Sequence, residues 1–94
     1  MRAVRVERDG SIRLVQVANP QPGPEDVLVQ VLAAGGCRTD LHLIDEVKAG
    51  EREPLIPGHE IAGRVAKVGS DVYSVTVGDR VAAHFEQPCG QCRQ

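Results

Sequence analysis

The chain has 94 residues, enough for one small domain. It is 41% hydrophobic and 26% charged, and its net charge of −2 comes without a basic block, which favours neither nucleic acid nor an anionic membrane surface. Its apolar runs are short and broken by glycine or charge, too short to span a bilayer, and Met1-Arg2-Ala3-Val4-Arg5 has no apolar signal core, so the expected location is the cytoplasm.

The chain reads as short strands between turns. Ala3 to Arg8 and Ile12 to Val17 flank Asp9-Gly10, a hairpin signal. Pro20, Pro22, Gly23 and Pro24 form a stiff connection that cannot join a sheet ladder. Val27 to Ala34 is apolar on both faces, which predicts a well-covered strand. Gly35-Gly36 ends it and lets the backbone turn before Cys37. Thr39 to Val47 is the one helical candidate, with Thr39 or Asp40 placed to cap its start. Lys48 to Pro54 is a charged loop. Ile56-Pro57-Gly58 leads into a strand from about Glu60 to Val68, residues 69–76 form a turn and connection, and Gly78-Asp79-Arg80 introduces a last strand from Val81 to His84. Tyr73 and Phe85 are the only aromatic residues, so the core must be aliphatic. Many short strands with Gly/Pro punctuation point to a mainly β fold, a small barrel or sandwich.

Three cysteines cannot all pair with one another, which argues against a secreted disulfide framework. Cys37 follows an apolar strand, where a cysteine can simply be a small buried hydrophobe. It also follows a Gly-Gly turn at a helix start, whose positive end favours the thiolate that zinc needs. His59 sits between Pro57-Gly58 and Glu60, which places an imidazole and a carboxylate together at a strand start. A thiolate, an imidazole and a carboxylate are the donors of a zinc site. Asp40 and Thr39 read equally as helix caps, Arg38 as a solvated surface charge, and His84 as a surface residue near a strand end. His42 lies three residues after Thr39, close to one helical turn. Cys89-Gly90-Gln91-Cys92 is a C-x-x-C, which can be redox-active, metal-binding or incidental.

The run from Gly58-His59-Glu60 through Gly63 and Gly69 to Val72 resembles the zinc signature of the medium-chain alcohol dehydrogenases, and Cys37-Arg38-Thr39-Asp40 agrees with it. The resemblance extends from Ala3 to Cys92. It implies a GroES-like small β-barrel with one short helix, incomplete at its C-terminal end. It implies that Cys37 and His59 ligate a catalytic Zn2+, with Glu60 beside the metal, where it can tune or transiently join the coordination. Asp40 would hydrogen-bond the other nitrogen of the histidine and fix its tautomer. Thr39 would hydrogen-bond the substrate alcohol and relay its proton, with His42 ending that relay at solvent in some members. Arg38 matches a position that contacts the coenzyme pyrophosphate in some members. Cys89 and Cys92 match the start of a structural zinc lobe, whose third cysteine would fall one position past Gln94.

The implied reaction is reversible oxidation of a small-molecule alcohol to an aldehyde or ketone with NAD or NADP, in a homo-oligomer. No G-x-G-x-x-G lies between a strand and a helix, so residues 1–94 read as a partial catalytic domain without a coenzyme-binding Rossmann domain. The third ligand of the catalytic zinc comes later in the family's sequence, and the 94-residue chain alone is expected to be inactive. Two other classes fit the barrel: a free-standing zinc-binding or interaction module, and a zinc-free quinone reductase relative. The pairing of Cys37 with His59 speaks against the latter.

Overall fold

The computed structural model describes residues 1–86 and Cys89. Alternating and β-branched residues form β1 (Arg2–Val6), β2 (Ile12–Gln16), β3 (Val27–Gly35), β4 (Glu60–Val68) and β5 (Arg80–Ala82), with one helix, α1 (Arg38–Lys48), between β3 and β4. The fold is mainly β with one helix, as the sequence indicates. The strands make two antiparallel sheets, β1-β2 and β3-β4-β5, and these do not close on one another.

In the β1-β2 hairpin Val6 pairs with Ile12. Its loop is held by Asp9 Oδ1, which accepts from the Ser11 N–H at 2.8 Å, an Asx-type contact beside the backbone bonds Glu7 N–H to Ser11 O and Gly10 N–H to Glu7 O. Val6 also exchanges two backbone hydrogen bonds with Leu55, at 2.8 and 3.3 Å, which ties the hairpin to the segment after α1. The last strand is shorter than the sequence suggests, three residues from Arg80 to Ala82. The chain then leaves the ladder after Ala83 N–H bonds the Ile61 carbonyl.

The β3-β4 pair is the longest ladder and carries two irregularities, at Leu28/Val29 and Val31/Ala33. The second leaves Leu32 without a partner on β4. Gly63 belongs to this pair for a steric reason: a Cβ there would collide with the Gln30 carbonyl oxygen on β3. Among the described residues only Val6, Val47 and Val65 are buried hydrophobics, one each from the hairpin, the helix and β4. The expectation that β3 is covered on both faces does not hold. From Gln30 to Gly35 it is exposed, with Val31 at 51% and Leu32 at 63%, because no second layer packs on that stretch among the described residues.

Gly63→Ala should therefore lower stability by about 1–3 kcal/mol, because the obstacle is backbone that cannot rotate aside. Gly36→Ala, where a Cβ meets nothing within 4 Å, should be neutral or slightly stabilising. Denaturant melts of the two variants check the contrast, and equal stabilities would refute it.

Candidate metal centre

β3 ends at Gly35 and β4 begins at Glu60, and these two residues are partners in the ladder. The exit of one strand therefore lies beside the entrance of the other. Cys37 stands two residues past the exit, and His59 one residue before the entrance. Although 22 residues apart, Cys37 Sγ and His59 Nε2 come within 3.4 Å.

The start of α1 supplies the third group. The sequence nominates Thr39 or Asp40 as the cap, but the capping position is Cys37, in extended backbone at φ −133°. Asp40, three residues on, turns its carboxylate back so that Oδ2 accepts from the Cys37 N–H at 2.9 Å. The other oxygen, Oδ1, lies 3.7 Å from His59 Nδ1. That oxygen is buried and has no hydrogen-bond partner. Cys37, Asp40 and His59 thus bring one donor atom each to within 4.8 Å of one another.

Zinc fits this arrangement. Tetrahedral zinc, with Zn–S about 2.3 Å and Zn–N about 2.0–2.1 Å, holds sulfur and nitrogen roughly 3.5 Å apart. The observed 3.4 Å matches that separation without a rearrangement. Asp40 stands on the opposite ring nitrogen, and its unpaired Oδ1 is the acceptor that an Nδ1–H requires. A shift of under about 1 Å would bring that pair to hydrogen-bond distance. The geometry places Asp40 beside the ring nitrogen that faces away from Cys37.

Glu60 lies outside this trio. Its side chain folds over Gly35, whose missing Cβ leaves the room that the Glu60 carboxylate occupies. Both residues border an open hollow of about 400 Å3 that also touches His59, Ala62, Ala82 and Phe85. Arg38, Thr39 and His42 are all exposed on the first turns of α1. Cys89 is exposed, and Cys92 lies outside the described residues. His84 is exposed and stands 3.4 Å from Glu86. Phe85 is the residue that sequence reasoning missed: its ring meets the His59 ring edge-on, with centroids 5.6 Å apart at 74°. The only signal for it was scarcity, as one of two aromatic residues in the chain.

Residues 23–94 match the family described as the alcohol dehydrogenase GroES-like domain. This chain belongs to that family. An L-threonine 3-dehydrogenase of Streptomyces avermitilis is 39% identical over 93 residues, covering 96% of this chain and 27% of the relative. The chain also superimposes on an alcohol dehydrogenase from Thermus sp. ATN1 with a TM-score of 0.82 at 36% identity, over 98% of this chain and 27% of that one. A protein from Sinorhizobium meliloti 1021 described as a zinc-binding dehydrogenase, bound to NADP, gives a TM-score of 0.79 at 40% identity, over 97% and 26%. The chain thus spans about a quarter of the length of these family members.

The double use of Asp40 has a measurable consequence. Asp40→Ala removes the acceptor of the Cys37 N–H and should cost roughly 0.5–2 kcal/mol, as loss of a helix cap does. Asp40→Asn keeps an acceptor oxygen and should lose less. Thermal melts of the metal-free variants check the order, and a fully stable Asp40→Ala would dismiss the carboxylate as a structural clamp.

Proposed function

We propose that residues 1–94 carry the catalytic zinc-binding corner of a zinc-dependent alcohol dehydrogenase, which interconverts an alcohol with an aldehyde or ketone using NAD or NADP. The reading rests on one observation above all: a thiol and an imidazole nitrogen 3.4 Å apart, with an unpaired buried carboxylate oxygen behind the imidazole. The kinship with named dehydrogenases supports it.

In this reading Cys37 Sγ, as thiolate, and His59 Nε2 hold the metal. Asp40 Oδ1 accepts from His59 Nδ1–H, which leaves Nε2 free to ligate and stops the ring from turning. Glu60 stays beside the metal, its carboxylate parked over Gly35. Zinc, when bound, supplies Lewis acidity that makes an alcohol easier to deprotonate. Thr39 Oγ1 takes the hydroxyl proton of the substrate and passes it to the His42 ring, which is exposed and returns it to solvent. Arg38, at the same helix end, meets the coenzyme pyrophosphate as a cation suited to phosphate. Cys89 and Cys92 belong to a second, structural zinc site. The whole enzyme would be a cytoplasmic homo-oligomer acting on a small-molecule alcohol. Its coenzyme domain would lie outside residues 1–94, which carry no G-x-G-x-x-G.

Metal titration tests the corner directly. Cobalt(II) added to the chain carrying Cys89→Ser and Cys92→Ser, which removes the thiols of the second site, should give the sulfur-to-metal absorption band of a thiolate ligand. Cys37→Ser should abolish the band, and His59→Ala should weaken metal binding strongly. Asp40→Asn should cost about 10–100-fold in affinity, the usual effect of losing the partner of a metal-bound histidine. A band that survives Cys37→Ser would move the metal elsewhere.

The same 94 residues, loaded with zinc and given alcohols with NAD or NADP, should show no turnover above background. Reduction of the coenzyme by this chain alone would overturn the division of labour between this domain and a separate coenzyme domain.

A further inference from the structure

The sheet register that builds the metal corner also delivers an aromatic ring to it. β4 and β5 pair Ala62 with Ala82. The Ala83 N–H then donates to the Ile61 carbonyl at 2.9 Å. Two residues further out on the two segments stand His59 and Phe85, so the same antiparallel register sets them opposite one another. Their ring centroids lie 5.6 Å apart with the planes at 74°. Opposed side chains on antiparallel segments are natural neighbours, and the T-shaped arrangement is one that aromatic rings prefer. A second ring stands against Phe85: that of His84, 5.2 Å away and tilted by 46°. His84 Nε2 is itself 3.4 Å from Glu86 Oε2.

A metal-binding imidazole needs its plane fixed as well as its nitrogen, because the nitrogen lone pair lies in the ring plane. The torsion that turns this plane, χ2 of histidine, is broad, with two wells half a turn apart. The half-turn would carry His59 Nε2 away from Cys37. Cys37 Sγ, at 3.4 Å, marks where Nε2 lies but leaves the plane free to rotate about the line through that atom. Asp40 Oδ1, at 3.7 Å from Nδ1, is beyond hydrogen-bond length. The contact with Phe85 differs in kind, because the energy of an aromatic pair depends on the angle between the planes.

We propose that Phe85 is a positioning residue for the metal corner: its ring sets the plane of the His59 imidazole and so aims Nε2 at the point that Cys37 Sγ also faces. The chemistry of this role rests on the metal reading given above, while the ring geometry is present without a metal. Phe85 carries no donor atom, so it acts only through His59. A leucine in its place fills similar space but has no ring plane to match. Phe85→Leu therefore separates control of the ring from mere filling, and Phe85→Tyr is the conservative change.

NMR of the metal-free chain reads the ring directly. In the wild type the His59 ring should show contacts to the Phe85 ring protons and a single side-chain rotamer. In Phe85→Leu it should average over both χ2 wells, and Phe85→Tyr should restore the single rotamer. Equal order of His59 in the wild type and Phe85→Leu, or averaging in the wild type itself, would overturn the proposal. Cobalt(II) titration of the chain carrying Cys89→Ser and Cys92→Ser reads the consequence. Phe85→Leu should weaken binding about two- to tenfold, the range expected of one aromatic contact. It should keep the thiolate band of Cys37 and shift the visible ligand-field bands, which report the geometry around the ion. Phe85→Tyr should keep the affinity and bands of the parent. Unchanged affinity and bands in Phe85→Leu would also overturn the proposal. A parent with no Cys37-dependent band would instead overturn the metal reading, and the NMR comparison then decides alone whether Phe85 holds the ring. If Phe85→Leu does not fold, the order of His59 in the wild type and in Phe85→Tyr decides.

Discussion

The pairing of Gly35 with Glu60 is the constraint on which the rest of the site depends. Antiparallel strands place the end of one beside the start of the other, and every residue just beyond those two ends is brought to the same corner. Cys37 and His59 are such residues. Their approach needs no contact of their own to hold it, because the β3-β4 ladder fixes both approach paths. Gly63 is part of the same constraint. It lets the two backbones come close in the middle of the ladder, and so fixes where the ends fall.

Asp40 completes the corner from the helix side. Its two oxygens face different ways, one onto the backbone of Cys37 and one toward the ring of His59. One short side chain thereby reaches from the start of α1 toward the His59 imidazole. A carboxylate can do this because it accepts in several directions at once. Of the two readings the sequence allows for Asp40, its contact with the start of the helix is made, through the Cys37 N–H, and its other oxygen lies near the His59 ring. Phe85, arriving from beyond β5, closes the other flank of the imidazole with an edge-on contact.

The rest of the described fold is less covered. Three valines form the buried core of the described residues, and large aliphatic side chains on β1, β2 and β3 remain in contact with solvent. Small domains have little stability to spare, roughly 5–15 kcal/mol at most. A fold with this much uncovered apolar surface gains from any partner that removes it from water. The Cys37–Asp40–His59 corner is brought together within the described residues, whereas the apolar stretch of β3 is open.

The sequence by itself determined the local features. Strand periodicity located the β elements, the Gly-Gly turn and the Thr39–Val47 pattern located the helix to within a residue at each end, and Gly58-His59-Glu60 with Cys37-Arg38-Thr39-Asp40 identified the family. These are short-range signals, carried by residue type and spacing. The tertiary structure decided which partners meet. Neither the Leu32 bulge, the contact of Phe85 with His59 nor the exposure of β3 has a local signature. Each depends on how strands separated by tens of residues align. Register and coverage are set by packing between distant segments, and an apolar strand reads the same whether a second layer covers it or water does.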